Sequence, residues 1–212
     1  MTNLLKTLQD EVAHFQSWAA TYPTDERSGE WECDYDDWPR LYDAFIDFVA
    51  TTTCQQWSTA TTDMLLYVIA RDNETGQLIR EVGRKPENLS CLAERAAESA
   101  EPDAKWQMAV ELSHIELPPV WVGSLLLRFA HDANEYVRRR ALIALADIKS
   151  PFVADLIEPA WNTGLEYQRM AVLKALSIIG SPELDSYLAR VETDGRQNVV
   201  HYAEGIRAGT AD

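Results

Sequence analysis

Four histidines (His14, His114, His131 and His201) and three cysteines (Cys33, Cys54 and Cys91) are the side chains best suited to hold a metal or act as a nucleophile. Their spacing supports neither role. The histidines fall in separate stretches, with no His-Glu-x-x-His or comparable ligand pair, and no Cys-x-x-Cys occurs. An odd number of widely spaced cysteines gives no disulfide framework, so reduced thiols are expected. A glycine-rich phosphate loop and a Gly-x-Ser-x-Gly elbow are both missing. The sequence therefore assigns no catalytic residue, no metal ligand and no cofactor.

What the sequence does concentrate is charge beside aromatic surface. Between 24 and 47 stand nine acids (Asp25, Glu26, Glu30, Glu32, Asp34, Asp36, Asp37, Asp43 and Asp47) against Arg27 and Arg40, a local net charge of −7. Trp31, Tyr35 and Trp38 are interleaved with them. Solvation alone needs no tryptophan, and a core needs no run of aspartates. Rigid aromatics ringed by carboxylates suit an interface for a basic partner, so Trp31, Asp34, Tyr35, Asp36, Asp37 and Trp38 form the first candidate site. A structural reading stands beside it, in which Asp36 and Asp37 cap the helix that starts at Trp38 and the aromatics fold back onto the protein.

The whole chain shares this bias: 34 acidic against 19 basic residues, for a net charge of −15. Such a chain is repelled by phosphate backbones and anionic lipid and attracts basic proteins. Its 212 residues, 46% of them hydrophobic, are enough for one continuous domain with its own core. The first ten residues carry an acid and no unbroken apolar core, unlike a signal peptide, and no run reaches the roughly 20 apolar residues of a membrane span. A cytoplasmic protein, monomeric when free, is expected.

The elements that would position these residues repeat. Pro86, Pro119, Pro151 and Pro182 are separated by 33, 32 and 31 residues, and each opens an amphipathic stretch. Ser150 and Ser181 precede two of them as natural N-caps. Ile79, Ala109, Ala141, Ala171 and Ala203 keep a second series, spaced by 30, 32, 30 and 32, each leading an aliphatic pattern. Two landmarks on one period point to stacked helix pairs. The segment Asp132-Ala-Asn-Glu-Tyr-Val-Arg-Arg-Arg-Ala-Leu-Ile-Ala-Leu-Ala-Asp-Ile148 resembles the second helix of a short bacterial HEAT repeat of the PBS-lyase type. The segment Glu166-Tyr-Gln-Arg-Met-Ala-Val-Leu-Lys-Ala-Leu-Ser-Ile-Ile-Gly180 is similar, with Gly180 where a helix cap belongs. The resemblance is good over about 119–190, fair over 72–118 and 191–206, and does not extend to the first 71 residues.

The resemblance implies an all-α fold, a right-handed α-solenoid of stacked antiparallel helix pairs. Repeats are expected at about 72–85 (partial), 86–118, 119–150, 151–181 and 182–208. Residues 1–71 would form an N-terminal helical cap. Its stripes are Leu4, Leu5, Leu8, Val12, Phe15 and Trp18; Trp38, Leu41, Tyr42, Phe45 and Val49; and Trp57, Met64, Leu65, Val68 and Ile69, with the acidic aromatic loop at about 21–37.

HEAT proteins are mostly adaptors and scaffolds, so a non-enzymatic protein-binding module is expected. The favoured form is an inhibitor or immunity-type protein that neutralises a basic partner such as a toxin nuclease. The alternative is an adaptor holding a peptide or subunit on its concave face, through Arg139, Arg140, Glu166, Tyr167 and His201. A weaker alternative, a HEAT-like DNA glycosylase, could draw on Trp106, Trp121, Trp161, Asp132 and Arg138 to Arg140. That chemistry needs a basic groove, and the repeats around the arginine triplet are acidic. No duplex DNA binding is expected at physiological salt. A gel shift at micromolar protein that weakens steeply as salt is raised would overturn this.

Overall fold

In the computed structural model, residues 2–27, 30–116 and 120–210 are described, and every regular element among them is helical. Pro119, one of the four spaced prolines, lies outside the described residues. The chain divides into two compact units, 1–111 and 112–212.

In the first unit, α1 (Thr2–Thr21) packs on α2 (Trp38–Thr51), with a single 3₁₀ turn at Trp31–Asp34 between them. Next come α3 (Thr59–Arg71), α4 (Gln77–Gly83) and α5 (Pro86–Ala96). The helix α6 (Pro102–Ser113) spans the division. Pairing of α2 with α4 and of α3 with α5 buries Leu41, Phe45, Leu65, Ile69, Leu78 and Leu92. Polar ties close the end of α2. Lys85 Nζ donates to the Val49 carbonyl at 3.1 Å, and buried Asn88 donates to the Thr52 carbonyl at 3.2 Å while accepting the Cys54 N–H at 2.9 Å. The last carbonyls of a helix have no partner within it, so these side chains supply one.

The second unit contains α7 (Val120–Ala130), α8 (Glu135–Asp147), α9 (Val153–Asn162), α10 (Glu166–Ile179), α11 (Leu184–Val191) and α12 (Gln197–Ala208). Its second helices α8, α10 and α12 pack side by side, while α7, α9 and α11 each lean on the second helix that follows. This is the α-solenoid arrangement. The starts of α8, α10 and α12 fall 31 residues apart each time. Burial follows the same step: Val137, Ala141, Leu142, Ala144 and Leu145 of α8 correspond to Gln168, Val172, Leu173, Ala175 and Leu176 of α10. Val199 and Ala203 continue the series on α12. The alanine landmarks thus misalign one helix, because Ala141 and Ala203 are matched by Val172 rather than by Ala171.

Helix starts and stops follow local chemistry. Pro86 is the first residue of α5, as its missing N–H favours. Pro151 and Pro182 sit two residues ahead of α9 and α11, where Ser150 Oγ accepts the Phe152 N–H at 3.4 Å and Ser181 Oγ accepts the Glu183 N–H at 3.2 Å. Asn134 caps α8, its Oδ1 taking the Tyr136 N–H at 2.8 Å. At the other end Gly180 adopts φ 64°, and the Ser181 N–H returns to the Leu176 carbonyl at 2.9 Å.

One repeat earlier Lys149 takes the same place, with φ 52°, and the Ser150 N–H closes onto the Leu145 carbonyl at 2.9 Å. A left-handed conformation costs a side-chain-bearing residue roughly 1–2 kcal/mol, and glycine's greater freedom when unfolded takes part of that back. Lys149→Gly is therefore expected to stabilise the protein by about 1 kcal/mol in urea denaturation. No gain would mean the exposed turn relaxes at no cost.

Candidate functional site

The acidic aromatic segment is assembled on α1. Phe15, fully buried, is the centre of its packing: Tyr35 meets it edge-on at 5.0 Å between ring centroids, Trp38 lies at 5.3 Å and Trp18 at 5.6 Å. Trp31 stacks on Trp18 at 5.5 Å with the planes 6° apart, and the Arg27 guanidinium covers its ring at 5.0 Å. Trp38 donates its indole N–H to the Glu32 carbonyl at 2.7 Å and stacks on Tyr42. The aromatics therefore fold back onto the protein. Tyr35, expected to offer contact area to a partner, is only 4% exposed and belongs to the core. Trp31 and Trp38 are half-buried.

The carboxylates divide by position. Asp34 and Asp36 are exposed, and Asp34 accepts the Tyr22 hydroxyl at 2.7 Å, which raises the tyrosine's pKa. Asp37 occupies the N-cap position of α2 without a side-chain capping bond. Its carboxylate faces His14 Nδ1 at 3.7 Å and Arg40 at 4.0 Å instead. Glu32 is buried with one carboxylate oxygen lacking a hydrogen-bond partner, and that burial pushes its pKa up. Both basic residues of the segment are occupied by the protein itself. Arg27 bonds the Ala19 and Tyr22 carbonyls, and Arg40 pairs with Glu11 at 2.6 Å.

In the second unit, a cleft of ≈ 260 Å³ opens on the face of α8, α10 and α12. Of the five residues expected there, Arg139, Arg140 and Tyr167 line it. Glu166 opens α10 outside it, and His201 lies on α12 in a separate depression, with its side chain 92% exposed. Tyr136, Lys174 and Tyr202 line the cleft and were missed. Their signal was present as helical spacing. Tyr136, Arg139, Arg140 and Ile143 run i, i+3, i+4, i+7, and Tyr167, Met170, Ala171 and Lys174 repeat that pattern one repeat later.

The family model for HEAT repeats matches residues 123–204. That span carries HEAT repeats. No curated protein and no solved structure matches the chain. HEAT repeats as a class mediate protein–protein interaction and are generally non-enzymatic scaffolds, so an interaction scaffold is the function that the match supports. Two of the residues considered for glycosylase chemistry, Trp161 and Arg138, serve packing and turn closure in these repeats. Trp161 is 5% exposed beneath Tyr187 and Arg169, and Arg138 bonds the Asp132 and Ala133 carbonyls at 2.9 and 2.8 Å. The equivalent of Arg138 in the next HEAT repeat, Arg169, reaches Asp194. Together with Arg196, which bonds the same carboxylate at 2.7 Å, it holds the Asp194 pKa down at about 2. Among the described residues, no group of three or more His, Cys, Asp or Glu side chains could hold a metal, and no helix is long and apolar enough to cross a membrane.

The placement of Tyr35 has a direct consequence. Tyr35→Ala should destabilise the protein by about 3 kcal/mol, as removal of a buried aromatic does. Urea unfolding would measure this, and a change under 1 kcal/mol would mean the ring does not pack as described.

Proposed function

We propose that this HEAT-repeat protein is a non-enzymatic binding module that captures a basic protein on the acidic surface of 25–47, in the manner of an inhibitor or immunity protein. The observation that carries the reading is the engagement of Arg27 and Arg40 by the protein's own carbonyls and Glu11. Among the described residues neither arginine forms an ion pair with Asp25, Glu26, Glu30, Asp34, Asp36, Asp43 or Asp47, all of them exposed. A surface of one sign, held on a rigid aromatic frame, steers a partner of the opposite sign and loses little entropy when it docks. The aromatics contribute as the frame rather than as inserted anchors. A second reading, an adaptor that holds a peptide on the face of the second helices, is favoured by the cleft between Tyr136 and Tyr167.

The test is a paired capture from native cell extract, using the wild-type chain and a triple variant, Asp34→Asn, Asp36→Asn and Asp43→Asn. A single high-pI protein should be retained by the wild type and lost by the variant. In purified form its association rate at low salt should fall about tenfold with the variant, with a flatter salt dependence and an unchanged melting temperature. Equal retention by both baits would remove the acidic surface from the interface.

A further inference from the structure

The cleft on α8, α10 and α12 has the opposite electrical character to the chain that carries it. Its nine lining residues include three cations, Arg139, Arg140 and Lys174, and no acid, in a protein of net charge −15. The rest of the lining is tyrosine and apolar surface, with Ile143, Met170 and Ala171 beside Tyr136, Tyr167 and Tyr202. This composition follows from the repeat itself. A step of 31 residues sets equivalent faces of α8 and α10 beside each other, so the two tyrosines one repeat apart, Tyr136 and Tyr167, end on either side of one guanidinium.

That guanidinium belongs to Arg139, whose Cζ lies 4.2 Å from the Tyr136 ring centroid and 4.8 Å from that of Tyr167. Held between two rings, it has lost most of the freedom that an arginine normally gives up on binding. It forms a long ion pair with Glu135 but makes no hydrogen bond among the described residues. Glu135 stands 3.9 Å from its Nε, beyond hydrogen-bond range, and that Nε is buried with no hydrogen-bond partner. Lys174 makes no hydrogen bond and no close ion pair among the described residues, and its charge acts on Asp147 only from a distance. Arg140 differs, because it already donates to the Tyr136 hydroxyl at 2.8 Å. Two cations with donors to spare, one of them preset by stacking, call for a carboxylate acceptor.

Size narrows the ligand. A space of ≈ 260 Å³ accepts one or two side chains, not a folded domain or a duplex. The chain's overall negative charge also disfavours a polyanion such as nucleic acid. Tyr167, 49% exposed, leaves apolar surface in the cleft for a residue adjacent to the carboxylate. We propose that this cleft binds a short acidic segment of a partner protein, with Arg139 and Lys174 taking an Asp or Glu carboxylate and Tyr136, Tyr167 and Met170 taking an aromatic or aliphatic neighbour. This deepens the adaptor reading by naming the ligand chemistry, and it is independent of the acidic surface at 25–47.

The experiment is selection of a random displayed peptide library on the full chain, followed by binding of the best synthetic peptide. Enrichment of Asp or Glu beside an aromatic or aliphatic residue is expected. Arg139→Gln, Lys174→Gln and Tyr167→Ala, each checked for unchanged helicity and melting temperature, should each weaken that peptide at least tenfold, and added salt should weaken it in the wild type. The triple variant at Asp34, Asp36 and Asp43 should bind it as the wild type does. Enriched peptides that are neutral or basic, or that are held equally well by the cleft variants, would overturn the cleft assignment and leave an adaptor with another binding face. Failure to enrich any peptide would overturn the adaptor reading as well. Sedimentation of the wild type beside an Arg139→Glu, Lys174→Glu double variant guards against a different occupant. Self-association that only the wild type shows would make a second copy's acidic segment the ligand and overturn the partner-peptide assignment.

Discussion

The second unit depends on one constraint, the need of α8, α10 and α12 to bury matched inward faces at a fixed 31-residue step. Alanines at Ala141, Ala144 and Ala175 let the helices approach closely, while Leu142, Leu145, Leu173 and Leu176 fill the space between the layers. The outward faces have no say in this packing, yet they inherit its register. Tyr136 and Tyr167 flank Arg139 because Val137 and Gln168, one position further on, hold equivalent buried sites. Gln168 marks where the match is imperfect. Its amide fills an apolar slot, and its Oε1 is buried with no hydrogen-bond partner.

The first unit is organised around Phe15. Here the chain brings a loop, rather than a helix, into an aromatic core, and the loop's charge is a consequence of that packing. Trp31, Tyr35 and Trp38 turn inward with Glu32, while Cys33, Asp34 and Asp36 between them turn outward. The same alternation that makes the segment acidic on its surface makes it apolar beneath. Arg27 and Arg40, the two cations of the segment, are drawn to carbonyls and to Glu11. A charged surface on a rigid support loses less on binding than a mobile one would.

The first unit thus presents an acidic surface on an aromatic frame, and the second a cleft lined by three cations. Trp161, Arg138 and Arg169 are committed to packing and to closing turns. Surface shape and charge are what an interaction scaffold, the function that the HEAT match supports, acts through.

Composition and periodicity alone determined the helical class, the HEAT-type repeat and the acidic balance, because apolar spacing, capping residues and net charge are properties of local sequence. The start of α2 at Trp38 and the left-handed cap at Gly180 were legible for the same reason. Tertiary structure alone decided which aromatics face inward, since Tyr35 reads the same whether it meets Phe15 or a partner, and only the approach of α1 settles the matter. It also decided the cleft. The alanine landmarks keep uneven steps of 30 and 32, which hid the equivalence of Tyr136 with Tyr167 and left Lys174 and Tyr202 unnoticed. Helix packing enforces a uniform step because side chains must interlock at every contact, whereas sequence landmarks are free to drift by one residue wherever Ala and Val serve equally well.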